Sequence, residues 1–134
     1  MQSSRVKGIS CLLDTDISID FLRRRDYARK LLEHRAGEGL LAISTLTQLE
    51  IYRGMKTIEQ QATNAFLDGL VSVAVDIQIA RRAGSMPAEN RTRGVTVGIA
   101  DAIITATALH LNVPLLNNNV EHYPFKDLKV VRGR

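Results

Sequence analysis

The sequence has little of what several large classes of protein require. Aromatic residues make up 4% of its 134 residues and tryptophan is absent, so few rings are available to stack on nucleic-acid bases. The single cysteine, Cys11, can form no internal disulfide, and within the apolar run ISCLL we expect it to serve packing. No uncharged apolar run approaches the roughly 18 residues of a membrane span, and the first residues, MQSSRVKG, lack the apolar stretch of a secretory signal. These absences predict a cytoplasmic protein with no membrane partner.

Several catalytic motifs are also missing. The chain has no glycine-rich phosphate loop, no nucleophile-elbow serine, and no paired cysteines or histidines with zinc spacing. Its histidines, His34, His110 and His122, fall in different contexts, and each fits a surface or packing role better than a catalytic one. Carboxylates remain, and these hard oxygen ligands suit Mg²⁺ or Mn²⁺.

The charge pattern suits a polyanionic partner. The formal net charge is +4. Basic residues concentrate in two groups, Arg23, Arg24, Arg25, Arg29 and Lys30 in the first, then Arg81, Arg82, Arg91 and Arg93. Two interpretations stay open, because such residues either bind phosphates or form a solvated helix surface. With so few aromatic rings, contact with a nucleic acid is expected mainly through phosphates.

Short β-rich runs alternate with helical patterns, which predicts a parallel α/β sheet within one domain, residues 1–134. The continuously apolar run at 9–13 is typical of a central strand covered on both faces. Further strands are predicted at 40–43, 71–75, 113–116 and, more weakly, 128–131.

Helix signals lie between these strands. Thr45 with Gln48, and Thr57 with Gln60, fit capping boxes, so Glu50 is expected early in a helix. Two amphipathic faces are predicted to pack in the core, one formed by Tyr27, Leu31 and Leu32, the other by Ile58, Ala62, Ala65 and Phe66. Residues 98–111, GIADAIITATALHL, are apolar nearly all round, which predicts a buried helix.

Two acidic residues stand out against this frame. Asp101 is the only charged residue of 98–111, and an ionised carboxylate is costly to bury unless it is paired, hydrogen-bonded or bound to a metal. The alternative is a partner of the helix dipole. Asp14 directly follows the central strand, where open parallel sheets bind ligands. Alternatively, Asp14 or Asp16 caps a helix starting near Ile17.

Three segments resemble the successive motifs of PIN-domain ribonucleases, specifically the VapC-type toxins: LLDTDISIDFL, STLTQLEIYRGM and GIADAIITATALHLNVPLLNNNVEHY. The resemblance implies a PIN-like doubly wound sheet of four or five mainly parallel strands with helices on both faces. It also implies an acidic triad of Asp14, Glu50 and Asp101. Asp16 matches a position where the family often has a supporting polar residue. The fourth acidic position falls on Asn119, which leaves three carboxylates and one amide oxygen.

The resemblance further implies a metal-dependent endoribonuclease, a hydrolase acting as the toxin of a toxin–antitoxin pair. Asp14 and Asp101 would hold Mg²⁺, or Mn²⁺, while Glu50 orients the attacking water or a second ion. RNA would be the substrate, and transfer RNA and messenger RNA both stay open as targets. The implied protein partners are a second copy in a homodimer and a small antitoxin that blocks the acidic pocket, with an arginine fork suited to paired carboxylates.

Two other functions remain open on the residues alone. A receiver-type signalling domain would use Asp76, directly after VSVAV, as phosphoacceptor, although that residue equally fits a helix cap and no late strand is followed by lysine and proline. A catalytically inert PIN-like binding module would keep the acids without using them.

Overall fold

The computed structural model describes residues 8–86, 98–119 and 127–134, which form one sheet flanked by helices. The strands are β1 (Ile9–Leu13), β2 (Leu40–Ser44), β3 (Val71–Val73), β4 (Leu115–Leu116) and β5 (Val130–Val131). The helices are α1 (Thr15–Leu22), α2 (Asp26–Glu38), α3 (Thr45–Gly54), α4 (Gln60–Asp68), α5 (Ile77–Ser85) and α6 (Ile99–Leu111), with a 3₁₀ turn at Thr57–Glu59. Within these described ranges, no helix is long and apolar enough to cross a membrane.

The sheet is doubly wound around β1. Its order is β3-β2-β1-β4-β5, and every neighbouring pair is parallel, which confirms the predicted fold class. The chain adds β2 and β3 on one side of β1, and later β4 and β5 on the other. The carboxyl ends of β1 and β4 therefore border the crevice in which sheets of this kind bind ligands.

The predicted strands differ from the observed ones mainly in length. The central strand at 9–13 is confirmed, whereas β3, β4 and β5 are shorter than the predicted 71–75, 113–116 and 128–131. Individual backbone hydrogen bonds extend the pairing of β4 beyond these short strands. The Leu12 amide donates to the Pro114 carbonyl at 2.9 Å, and the Leu115 amide donates to the Lys129 carbonyl at 2.9 Å. Apolar composition predicts the burial of a segment, but the length of its ladder depends on the neighbouring strand.

Helices cover both faces of the sheet, as predicted. The cluster on the α6 side consists of Leu12, Ala42, Ile104, Ala108, Leu115 and Leu128. The cluster on the α1 and α2 side consists of Cys11, Leu13, Ile17, Leu32 and Leu116. Successive residues of a strand point to opposite faces, which is why β1 contributes to both clusters. Cys11 is fully buried and burial raises the pKa of its thiol, so the expected packing role is confirmed.

Most helix predictions hold, and the main exception is α4. The 98–111 segment forms the largely buried α6, and Leu32 of α2 is buried with Tyr27 and Leu31 half-buried beside it. In contrast, Ile58 is 89% exposed, and Ala62 and Ala65 are also exposed. The buried side of α4 carries Thr63 and Leu67, with Phe66 half-buried next to them. Ile58 belongs to the preceding 3₁₀ turn, so the predicted apolar face joined residues that do not share one helical period.

Three helix starts also differ from the predicted ones. The helix α1 begins at Thr15 with Asp14 as its cap, two residues before the predicted Ile17. Ser44, not Thr45, caps α3 and accepts from the Leu46 amide at 3.1 Å. The Lys56 amide, rather than Thr57, donates to the Glu59 carboxylate at 2.7 Å. Adjacent hydroxyl and acidic residues give equivalent sequence signals, and backbone geometry decides which of them is the cap.

The structure describes only some of the histidines and basic residues named in the sequence. His34 and His110 are exposed, as expected for surface residues. His122, Arg91 and Arg93 lie outside the described residues.

A pair of glycines at the end of α2 provides a test of the packing. A β-carbon on Gly39 would lie 2.5 Å from the Gly8 carbonyl oxygen, whereas one on Gly37 would meet nothing within 4 Å. We expect Gly39→Ala to lower the free energy of unfolding by about 1–3 kcal/mol because backbone must shift. Gly37→Ala should raise it by roughly 0.5–1 kcal/mol, since alanine restricts the unfolded chain. Urea denaturation of both variants measures these values, and equal effects would contradict the packing at Gly39.

Candidate active site

One open pocket of about 350 Å³ gathers the predicted site residues at the carboxyl ends of the strands. Its lining consists of Asp14, Thr15, Asp16, Glu50, Ala100, Asp101, Ile104, Asn117 and Asn119. The three acids of the proposed triad and Asn119 come from four separate parts of the chain. The doubly wound topology brings them to one side of the sheet, where the crevice was expected.

Asp14 is both a helix cap and a pocket residue. Only 7% of it is exposed, and its Oδ1 accepts a 2.7 Å hydrogen bond from the Thr15 amide. Its Oδ2 accepts a 2.7 Å bond from Nδ2 of Asn117. The capping interpretation and the pocket interpretation of Asp14 therefore hold together. The carboxylate is fixed between the start of α1 and the residue after β4.

Asp16 lies beside Asp14 and supports the loop after β4. Its Oδ1 accepts from the Ile17 amide at 2.7 Å, and its Oδ2 accepts from the Asn118 amide at 2.8 Å. Burial is the main reason that the pKa of Asp16 is raised, the Asn118 amide opposes the increase, and the nearby charge of Asp14 adds to it. Because both carboxylate oxygens bind backbone amides, the geometry suits a supporting role in the pocket wall.

Glu50 reaches the pocket from α3. It is the sixth of ten residues in that helix, so it lies in the middle of α3 and not in the early turn that the sequence predicted. Its side chain is exposed, and Oε1 accepts a 2.7 Å hydrogen bond from the Thr15 hydroxyl. Thr15 was missed in the sequence, where a threonine after an aspartate indicates only a helix start.

Asp101 occupies the first turn of α6 and is half-buried. The six buried residues of α6 all follow it, from Ala102 to Ala108, and they anchor the helix against α5 and the sheet. An acid in the first turn complements the helix dipole, and the same position lines the pocket. The geometry is therefore consistent with both interpretations of Asp101.

The asparagines after β4 form the remaining wall. Asn119 is exposed at the pocket, and its backbone amide donates to Oδ1 of Asn117. Asn117 is only 6% exposed and connects this bond to Asp14. The resemblance to PIN-domain ribonucleases pointed to Asn119 but not to Asn117. The signal that identifies Asn117 is its position directly after a buried strand that neighbours β1.

The donor set of the pocket fits a hard divalent cation. Among the described residues, no three histidine, cysteine, aspartate or glutamate side chains form a group that could hold a metal ion. Mg²⁺, however, usually binds through one or two carboxylates and keeps several waters. Asp14, Asp101 and Glu50 are the carboxylates that could hold such an ion, and the Asn119 amide oxygen lies in the same pocket.

The basic residues near the start of α2 fall into two kinds. Arg29 and Lys30 pair with Asp26 at 2.9 Å and 3.4 Å, which favours the solvated-surface interpretation for those two. Arg23, Arg24 and Arg25 are exposed in the turn between α1 and α2, and none of them forms an ion pair with the part of the chain that the structure describes. For these three arginines both interpretations, phosphate contact and solvated surface, stay open.

Asp76 has a different role from the pocket acids. It caps α5, and its Oδ1 accepts from the Ile79 amide at 2.9 Å. It does not line the acidic pocket. A receiver-type phosphoacceptor must lie beside the acids that bind its metal, so this placement removes the basis of the receiver interpretation.

Comparison with known proteins agrees with the fold. A family model described as PIN domain matches residues 11–128. Ribonuclease VapC19 of Mycobacterium tuberculosis is 34% identical over 120 residues, covering 88% of this chain and 96% of that protein.

Solved structures share the fold of this chain. VapBC2 from Rickettsia felis, bound to a promoter DNA fragment, has a TM-score of 0.81 at 22% identity, covering 92% of this chain and 98% of that one. A toxin–antitoxin complex from Klebsiella pneumoniae has a TM-score of 0.76 at 29% identity, covering 93% and 98%. With a family model that spans most of the sequence and a relative that aligns over nearly its whole length, this chain belongs to the PIN domain family.

Proposed function

We propose that this chain is a metal-dependent endoribonuclease and the toxin of a VapC-type toxin–antitoxin pair. The observation that carries the proposal is the convergence of Asp14, Glu50 and Asp101 on one pocket at the carboxyl ends of parallel strands. The similarity to a protein named Ribonuclease VapC19 supports RNA as the substrate. A receiver or nucleophilic mechanism has no comparable set of residues in the described part of the chain.

The pocket residues have distinct roles in this proposal. Asp14 and Asp101 would hold Mg²⁺ or Mn²⁺, and Asn117 keeps the Asp14 carboxylate oriented. The chemistry that such an ion would supply is polarisation of the phosphodiester and a lower pKa for the attacking water. Glu50, held by the Thr15 hydroxyl, orients that water, and Asn119 offers an amide oxygen at the open side.

An antitoxin is the proposed partner, by analogy with the toxin–antitoxin complex from Klebsiella pneumoniae. A groove of about 250 Å³ runs between α1, α3 and the start of α4, and its apolar lining includes Ile19, Leu22, Ile51, Met55 and Ile58. The first two of these helices also carry Thr15 and Glu50 into the acidic pocket. An antitoxin with an apolar segment in the groove and an arginine in the pocket would block the acids.

The groove can be tested at its most exposed apolar residue. Ile58 is 89% exposed, so Ile58→Lys should leave the stability of the free protein nearly unchanged. It should weaken binding of the cognate antitoxin, because a charge enters an apolar contact. Calorimetric titration of the antitoxin into both proteins measures the difference, and equal affinities would mean that the antitoxin binds elsewhere.

A homodimer is also proposed, in which a second copy covers exposed apolar side chains such as Leu49, Ile77 and Ile99. Light scattering of the purified protein that gives the mass of one chain at micromolar concentration would contradict it.

Cleavage chemistry is the direct test of the function. Purified free of antitoxin and incubated with total cellular RNA, the protein should cut only when Mg²⁺ or Mn²⁺ is present. Water as the nucleophile leaves 5′-phosphate and 3′-hydroxyl ends, which mapping of the cut ends detects. A 2′,3′-cyclic phosphate formed in EDTA would exclude the metal mechanism.

Asp101 separates function from stability. Asp101→Asn keeps the side-chain shape and removes one of the four carboxylates that line the pocket, so it should abolish cleavage without lowering stability in EDTA. Mg²⁺ at 100 times its dissociation constant should stabilise wild type by about 2.7 kcal/mol and the variant much less. Thermal melts in EDTA and in Mg²⁺ measure both.

The dipole interpretation of Asp101 gives a different pattern in the same melts. An acid that only complements the helix dipole contributes roughly 0.3–1 kcal/mol, and this would be lost in the variant. The variant would then respond to Mg²⁺ like wild type and still cut RNA, an outcome that would remove Asp101 from the site.

The exposed arginines test the contact with RNA. Replacing Arg23, Arg24 and Arg25 with glutamine should weaken RNA binding and flatten its salt dependence, by up to about 0.7 in the logarithmic slope for each lost phosphate contact on single-stranded RNA. Arg29→Gln with Lys30→Gln is the matched control, since these two residues already pair with Asp26. An unchanged slope in the triple variant would make its arginines ordinary solvated surface.

A further inference from the structure

Asn118 connects four parts of the chain just behind the acidic pocket. Its backbone amide donates to Asp16 at 2.8 Å. Its side-chain Oδ1 accepts from the Gly133 amide at 3.0 Å, and its Nδ2 donates to the Tyr27 hydroxyl at 2.7 Å. That hydroxyl in turn donates to the carboxylate of Asp20. The loop after β4 is thus tied to α1, to α2 and to the segment that follows β5.

The segment after β5 fits closely into this network. A β-carbon on Gly133 would lie 2.7 Å from Cδ1 of Ile17, 2.9 Å from Oδ1 of Asn118 and 3.1 Å from Cε2 of Tyr27. The guanidinium of Arg134 lies over the Tyr27 ring, 5.2 Å from its centroid. A methyl group on residue 133 would therefore push against the ends of the Ile17 and Asn118 side chains, including the oxygen that accepts the Gly133 hydrogen bond.

We propose that Asn118, held by Gly133 and Tyr27, is a positioning residue that fixes the metal-binding wall of the acidic pocket. The inference rests on the proposed function, because it assigns to the segment after β5 a role in the same site. Neither Asn118 nor Gly133 lines the pocket, so both act through other residues.

The route from Asn118 to the acids is short. Its neighbours in sequence, Asn117 and Asn119, both line the pocket, and Asn117 donates to the Asp14 carboxylate at 2.7 Å. A displacement of Asn118 moves these two residues and also weakens the bond to Asp16. Displacements of about 1 Å cost large factors in rate, and loss of groups that orient metal ligands costs roughly 10–100-fold in affinity or activity.

The experiment compares three network variants with two controls. Asn118→Ala removes both side-chain bonds, Gly133→Ala forces the close contacts apart, and Tyr27→Phe removes one hydroxyl. Tyr52→Phe is the control for the hydroxyl, since Tyr52 makes a similar bond to a side chain of α4 outside the pocket. Gly37→Ala is the control for the added methyl group, because nothing lies within 4 Å of it.

Two readouts distinguish positioning from a general structural role. The first is the dissociation constant for Mn²⁺ alone, measured by calorimetric titration without RNA. The second is the separation of kcat from KM on a cleavable RNA. We expect Asn118→Ala and Gly133→Ala to weaken Mn²⁺ binding roughly tenfold and to lower kcat by about 10–100-fold. KM should change by less than about twofold, and both controls should match wild type.

The other possible outcomes would contradict the positioning role, the ribonuclease function, or both. If the Asn118 and Gly133 variants melt at lower temperature but keep the Mn²⁺ affinity and kcat of the controls, the network is structural only and the inference is wrong. If wild type binds Mn²⁺ and cuts no RNA, the ribonuclease function fails, while the Mn²⁺ affinities still decide the positioning role. If wild type binds no Mn²⁺, both proposals fail.

Discussion

The buried carboxylate of Asp14 is the constraint on which the rest of the site depends. A nearly inaccessible charge is costly unless hydrogen-bond donors surround it. Here one donor comes from the first residue of α1 and another from Asn117, which is 103 residues away in sequence. The Asn117 donor is in place only when β1 and β4 pair in parallel register. The acidic pocket therefore forms only together with the sheet, because the buried Asp14 carboxylate needs a donor that strand pairing brings into place.

The position of Asp101 depends on how α6 packs. It is packed through small residues, with Ala102 and Ala106 against Ile79 and Ala83 of α5. Small side chains let two helices approach closely, and the approach fixes where the first turn of α6 lies. Asp101 stands in that turn, so its position is set by packing further along the helix. The Glu50 carboxylate is positioned differently, by one hydrogen bond from the Thr15 hydroxyl of α1 to α3.

The sequence was sufficient for those features that depend on local pattern. An apolar run ending in an acid predicts a strand and a pocket residue, and this logic led to Asp14, as the apolar helix led to Asp101. Asn117 also directly follows a predicted strand, but its bond to Asp14, like the bond from Thr15 to Glu50, joins residues distant in sequence and was not predictable from local pattern. The face of α4 was wrong for a related reason: apolar spacing was read through Ile58, but the helix begins only at Gln60. Tertiary contacts determine where a helix begins, and therefore which residues share its helical period.

The distance in sequence between Asp14 and Asn117 also has a consequence for how the chain folds. Contacts this remote form late, since closing a long loop costs entropy before any bond is made. A nascent chain that has emerged only as far as α6 contains Asp14, Glu50 and Asp101 but has neither β4 nor Asn117. The acidic pocket is therefore complete only after the chain has been synthesised past Asn119. Partly folded or truncated chains lack it.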